Sequence, residues 1–152
     1  MTEIQFLSQG KVLQKMIGIH QKEIENLRLL CENVSDFTID NPIAKTSRPA
    51  GSIMFEEYVF LINQREREIT ETMKAMMQAL KDIEEVILDL PNVNYINILK
   101  LRYLNFFTWN EIADITGYAV NTVRRYHTRA LQLVKVPDKY QGESLVKFKC
   151  GA

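Results

Sequence analysis

Cysteine is scarce in this chain, and the two present, Cys31 and Cys150, have no second cysteine or histidine at metal-ligand spacing. That pattern excludes a disulfide scaffold or a zinc knuckle, and reduced thiols are expected. The two histidines, His20 and His127, fall in different segments. Gly-rich phosphate loops, HExxH and the nucleophile elbow are all missing, so neither enzymatic chemistry nor a cofactor or metal is expected. No stretch approaches the roughly 20 apolar residues of a membrane span. No basic segment followed by an apolar run opens the chain, and a cytoplasmic protein without a membrane partner is the expectation.

Helical periodicity fills most of the remainder, and the expected fold class is all-α. Thr2 and Gln5 form a capping-box pattern that opens a first helix. Leu13, Ile17, His20, Ile24, Leu27, Cys31 and Val34 then recur at alternating four- and three-residue intervals, the seam of helices packed lengthwise. His20 reads as a packed histidine. Gly10 and Gly18 each cost the helix about 1 kcal/mol relative to Ala. Residues 35–52, with Pro42 and Pro49, read as a loop that contacts a partner or merely connects. Ser52 is the expected cap of a second helix reaching Leu90. Its seam runs Phe55, Val59, Ile62, Ile69, Met73, Met76, Leu80, Ile83, Ile87 and Leu90, broken at Glu66. Residues 1–90 are thus expected to form a long antiparallel helical hairpin, coiled-coil-like, with dimerisation through leftover surface.

Pro91 stops that helix and Asn92 can cap a shorter one from Val93 to about Leu104. Thr108 and Glu111 form a further capping box, and Gly117 suits the left-handed end of the helix they open. After a tight turn the period resumes at Val123, Tyr126, Ala130, Leu131 and Val134. Two short helices so joined read as a helix-turn-helix over residues 91–136, its recognition helix at about 120–134. Residues 137–152 are expected to form a basic, poorly ordered tail.

The net charge of zero hides an asymmetry. Residues 1–92 hold 10 Lys and Arg against 15 Asp and Glu, a net of −5. Residues 93–152 hold 9 against 4, a net of +5. The basic part contains the helix-turn-helix, as a phosphate-binding surface requires. Its outer face carries Asn121, Thr122, Arg124, Arg125 and Thr128, rich in donors and free of acids. Base edges and phosphates mostly call for donors, so double-stranded DNA is the expected partner. The acidic residues 1–90 are not expected along DNA, and a fragment lacking them is expected to bind it still.

The patterns L-x-L-R-Y, T-x-x-E-I-A-x-I-x-G and T-V-R-R-Y-x-x-R-A-L stand in order between Leu99 and Leu131. The stretch from Leu90-Pro91 to Leu133, which carries these patterns, resembles region 4 of sigma-70-type factors, and most of all the phage late-gene transcriptional regulators of the ArpU/RinA type. Ala119 and Val120 depart from the pattern, since a Ser or Thr cap and a polar residue are usual there. The resemblance implies a DNA-binding activator in a bacterial host cell, with RNA polymerase as a further candidate partner. A small terminase-like packaging subunit and a polymerase-binding adaptor are the alternatives. Asn121 and Arg125, one turn apart, are the expected base readers, with Arg124 and Arg129 nearer the phosphates and His127 at the rim. Thr108 and Trp109, at a helix N-terminus, are expected to meet the DNA backbone, with packing of Trp109 on Phe106 or Phe107 as the alternative.

Overall fold

The structure, a computed structural model, describes residues 1–39 and 50–142. Every regular element among them is helical, and no strand occurs among the described residues. In chain order the helices are α1 (Glu3–Leu7), α2 (Gln9–Ile39), α3 (Ala50–Leu88), α4 (Val93–Leu99), α5 (Trp109–Thr116) and α6 (Val120–Leu133). A π-helical turn, Lys100–Leu104, extends α4, and a single 3-10 turn, Asp138–Tyr140, follows α6. None of these helices is long and apolar enough to cross a membrane.

Local sequence devices start the elements where expected. The Thr2 hydroxyl accepts from the Gln5 N–H and the Gln5 side chain accepts from the Thr2 N–H, closing the capping box. Asn92 caps α4 by accepting the Asn94 N–H at 2.8 Å. The loop expected at residues 35–52 is shorter at both ends, because α2 runs on to Ile39 and α3 already begins at Ala50. No proline or glycine stands between Ser35 and Ile39 to stop the backbone ladder. Ser52 therefore lies inside α3 and is not its cap. The rest of that loop, residues 40–49, and the tail residues 143–152 lie outside the described residues.

The chain divides into two compact units, one joining Met1–Gln14 to the chain from Lys74 onward, the other made of Lys15–Met73. The second unit pairs α2 with α3. On α2 the seam is as expected from Ile17 to Cys31, with Ile17, His20, Ile24 and Cys31 buried and Leu27 half-buried, while the expectation at the Val34 side chain lies outside the described residues. On α3 it is rotated: Phe55, Val59 and Met73 are 44%, 38% and 48% exposed. Ile62 and Ile69 stay half-buried as expected, while Tyr58, Arg65 and Thr72 are half-buried in place of the exposed positions. The rotation follows the charges. Arg65 Nε lies 2.8 Å from Glu23 and its Nη1 2.8 Å from Glu68, and His20 Nδ1 is 3.6 Å from both carboxylates. A seam traced through apolar residues alone breaks at Glu66 because Arg65 holds that place. The pairing of residue 23 with 65, and of 20 with 68, sets the two segments antiparallel.

In the first unit, Phe6 and Leu7 are fully buried among Ile83, Ile87, Leu90, Leu99, Tyr103, Ala130 and Val134. A second cluster, Ile98, Ile112, Ala113 and Val123, lies wholly within residues 91–136. The expected division after Leu90 runs through the first cluster, so a fragment lacking residues 1–90 loses one wall of the core beneath α6. Gly10, read from the sequence as a soft point, is a close approach: a Cβ there would lie 2.6 Å from Leu80 Cδ2 and 3.3 Å from Phe106 Cζ. The tail expected to begin at residue 137 is docked at its start. The Tyr140 ring meets Phe6 edge-on at 5.0 Å, and its hydroxyl donates to the Asp82 carboxylate. Lys139 Nζ lies 2.8 Å from the same carboxylate, and the Gln78 amide donates to it at 3.0 Å. Burial pushes the Asp82 carboxyl up, but these donors outweigh it and hold the group below its ordinary value.

Truncating a fully buried phenylalanine costs about 3–5 kcal/mol. Phe6→Ala is therefore expected to lower the urea midpoint followed by Trp109, the single tryptophan, even though Trp109 lies about a hundred residues away in sequence. An unmoved Trp109 transition would show that residues 91–136 fold independently of α1.

Candidate nucleic-acid interface

The approach to the candidate site is a wide turn. The Asn105 N–H reaches back to the Lys100 carbonyl at 3.1 Å, and the Asn105 side-chain amide donates to the same oxygen at 3.0 Å. Phe106 then takes a left-handed backbone at φ 61°, a conformation costing a non-glycine residue about 1–3 kcal/mol. Its ring lies against the bare face of Gly10. The Phe107 N–H donates to the Leu101 carbonyl at 3.0 Å, and Arg102 Nη1 donates to the Phe107 carbonyl at 3.0 Å. These bonds deliver Thr108 to the head of α5.

There the capping box forms. Glu111 accepts the Thr108 N–H at 2.7 Å and the Thr108 hydroxyl accepts the Glu111 N–H at 3.3 Å. The bond from the Thr108 backbone, then that with its side chain, holds the Glu111 carboxyl below its ordinary value. A carboxylate thus occupies the helix start at which a DNA phosphate was expected. Gly117 ends α5 at φ 74°, its N–H donating to the Ala113 carbonyl at 2.9 Å. Ala119, extended and without a side-chain cap, precedes α6, which begins at Val120. Asn121 accordingly sits in the first turn and does not start the helix.

Val123 and Ala130 fix the inner face of α6, both fully buried. Tyr126 is half-buried, its ring 6.0 Å from that of Tyr95 and 5.5 Å from that of Tyr118. The outer face exposes Asn121, Arg124, Arg125, Thr128 and Arg129, while Thr122 is half-buried. None of the ion pairs seen among the described residues involves Arg124, Arg125 or Arg129. The Thr128 hydroxyl donates to the Arg124 carbonyl at 3.0 Å.

Trp109 is half-buried beside this face. The Arg102 guanidinium lies 4.4 Å above its ring centroid and that of Arg124 5.9 Å away. His127 departs from its expected place at the rim. It is half-buried, edge-on to Trp109 at 4.8 Å, and its Nε2 is 2.7 Å from the Tyr103 hydroxyl. Burial, and then the charge of Arg102, push its pKa down to about 4. Near neutrality it is an uncharged packing residue and offers no cation to a phosphate. The spacing of residues 123, 127, 130 and 134, alternating four and three, would have placed it on the inner face. Arg102 is the site residue that sequence reasoning passed over, although it stands inside the L-x-L-R-Y pattern.

The sign of the pH effect follows. Folded His127 takes a proton only near pH 4, whereas the unfolded chain takes it near the ordinary value of 6.5. Stability is complete above pH 6.5 and falls as the pH drops from there towards 4, because the unfolded state binds the extra proton. Urea midpoints followed by circular dichroism should show this slope in the wild type and a flatter one in His127→Asn. Equal slopes in the two proteins would refute the assignment.

No family model matches the chain, and comparison with curated proteins and with solved structures likewise gives no match.

Proposed function

We propose that residues 91–136 act as a helix-turn-helix and that the protein is a sequence-specific, double-stranded DNA-binding transcriptional regulator. Its role is that of an activator of the phage late-gene type, as the resemblance between Leu90 and Leu133 implies. In this reading α6 enters the major groove, and residues 1–90 form a helical hairpin that carries self-association. The observation that carries the reading is the outer face of α6. Asn121, Arg124, Arg125, Thr128 and Arg129 are exposed on a helix without a single acid, while Val123 and Ala130 anchor its other side. Unpaired arginines on a rigid helix are what bidentate contact with guanine and charge neutralisation of phosphates both need.

The face also divides the labour. The Arg124 guanidinium leans towards Trp109, on the flank of the helix, which suits a phosphate contact. Asn121 and Arg125 are a turn apart and are the base readers of the proposal; Arg129 joins Arg124 at the backbone.

Fragments selected by the protein from genomic DNA supply the test sequence. On it, Arg125→Ala is expected to cost about 1–3 kcal/mol and to relax discrimination against a scrambled duplex. Arg124→Ala is expected to weaken all sequences alike and to flatten the dependence of log K on log salt by about one unit. A wild-type protein that binds selected and scrambled duplexes equally would refute sequence-specific recognition. If Arg124→Ala changes preference while Arg125→Ala changes only the salt slope, the two roles are exchanged.

A further inference from the structure

A pocket of about 240 Å³ opens beside Trp109, lined by Ser8, Lys11, Arg102, Tyr103 and His127 as well as Trp109 itself. Lys11 and Ser8 come from the N-terminal fourteen residues, which belong to the same compact unit as α5 and α6. We infer that this pocket holds a backbone phosphodiester of duplex DNA between Lys11 and Arg102, so that the first turn of α2 extends the contact made by α6. The inference rests on the DNA-binding reading above and adds a second element to it, drawn from the part of the chain whose acidity argued against any such contact.

Ile4 and the aromatic rings wall the pocket, and its charged groups are both cations, Lys11 and Arg102, which suits an anion. No carboxylate lines it. Lys11 is exposed and takes part in none of the ion pairs seen among the described residues. Arg102 commits one N–H to the Phe107 carbonyl, and a guanidinium has five to give. The field of Arg102 is felt inside the pocket, since its charge is the second cause of the low pKa of His127. A protonated His127 would compensate nothing there; an anion would. Arg102 and Arg124 already lie over the Trp109 ring, which therefore positions cations and is not left free to stack a nucleobase. Arg124 also joins the pocket to the outer face of α6, so one DNA strand can pass from one to the other. The alternative anchorage at the head of α5 is taken by the Glu111 carboxylate.

The test uses the full-length protein and compares Lys11→Gln with Lys15→Gln, an exposed lysine of the same helix that does not line the pocket. Each neutralised phosphate contributes about 0.9 to the slope of log K against log salt. Lys11→Gln is expected to flatten the slope by about that much, to weaken selected and scrambled duplexes equally, and to be restored by Lys11→Arg. Lys15→Gln is expected to match the wild type. A wild type with no salt-dependent duplex binding would overturn this inference together with the functional reading. A wild type that binds duplex with the slope unchanged in Lys11→Gln would overturn the pocket assignment alone. Trp109 fluorescence titrated with inorganic phosphate and with AMP separates the sources. Micromolar saturation by either, lost in Lys11→Gln without any change in the salt slope, would assign the pocket to a free phosphate compound and refute the inference.

Discussion

The burial of Phe6 and Leu7 against Ile83, Ile87, Leu99, Tyr103, Ala130 and Val134 is the contact on which the first compact unit depends. Fully burying a side chain of this size contributes about 1.5–3 kcal/mol, against a net stability for ordinary domains of about 5–15 kcal/mol. Two such residues on the five-residue helix α1 therefore weigh heavily, and a helix that short cannot persist without packing. Its capping box, Thr2 with Gln5, fixes the turn that aims both side chains inward. Ala130 and Val134 belong to α6 and to its C-cap, so the end of the candidate recognition helix is seated on residues from the opposite end of the chain.

From this seat the polar layer above follows. Tyr103 belongs to the buried cluster and presents its hydroxyl to His127. His127 in turn meets Trp109, and Trp109 lies under Arg102 and near Arg124. The chain of contacts runs from an apolar floor through a neutral imidazole and an indole to guanidinium groups at the surface. A neutral histidine suits this position, because a charge there would repel Arg102 and lose its solvation at once. Pre-positioned arginines lose less rotamer freedom on meeting an anion than free ones do.

Much of this was legible in the sequence wherever the cause is local. The caps at Thr2, Asn92 and Thr108 and the left-handed Gly117 stand where residue type and spacing placed them. The all-helical class followed from periodicity alone. What was not legible depends on partners distant in sequence. Arg65 enters the seam of α3 because Glu23 faces it, and no reading of residues 54–73 by themselves reveals that. The docking of Tyr140 needs Phe6 and Asp82, and the value of Gly10 needs Leu80 and Phe106. His127 is the intermediate case. Its inward position was available from the four-and-three spacing already used for α2, yet its chemistry as a surface cation drew the reading outward. Nor could charge patterning show that Lys11 and Arg102 line one pocket, since a net of −5 over residues 1–92 is an average.

The shared core has a consequence for how the chain is made. Phe6 and Leu7 are synthesised well before two of the residues that cover them, Ala130 and Val134, which stand more than a hundred positions later. Until those arrive, α1 is a five-residue segment with two bare apolar side chains. Contacts of such sequence separation form late, because the loop must close before they repay it. The Lys15–Met73 segment, whose pairing is internal, can assemble while synthesis continues. The basic face of α6 and the α1 residues beneath it thus reach their final arrangement in one closing event, after translation has passed Val134.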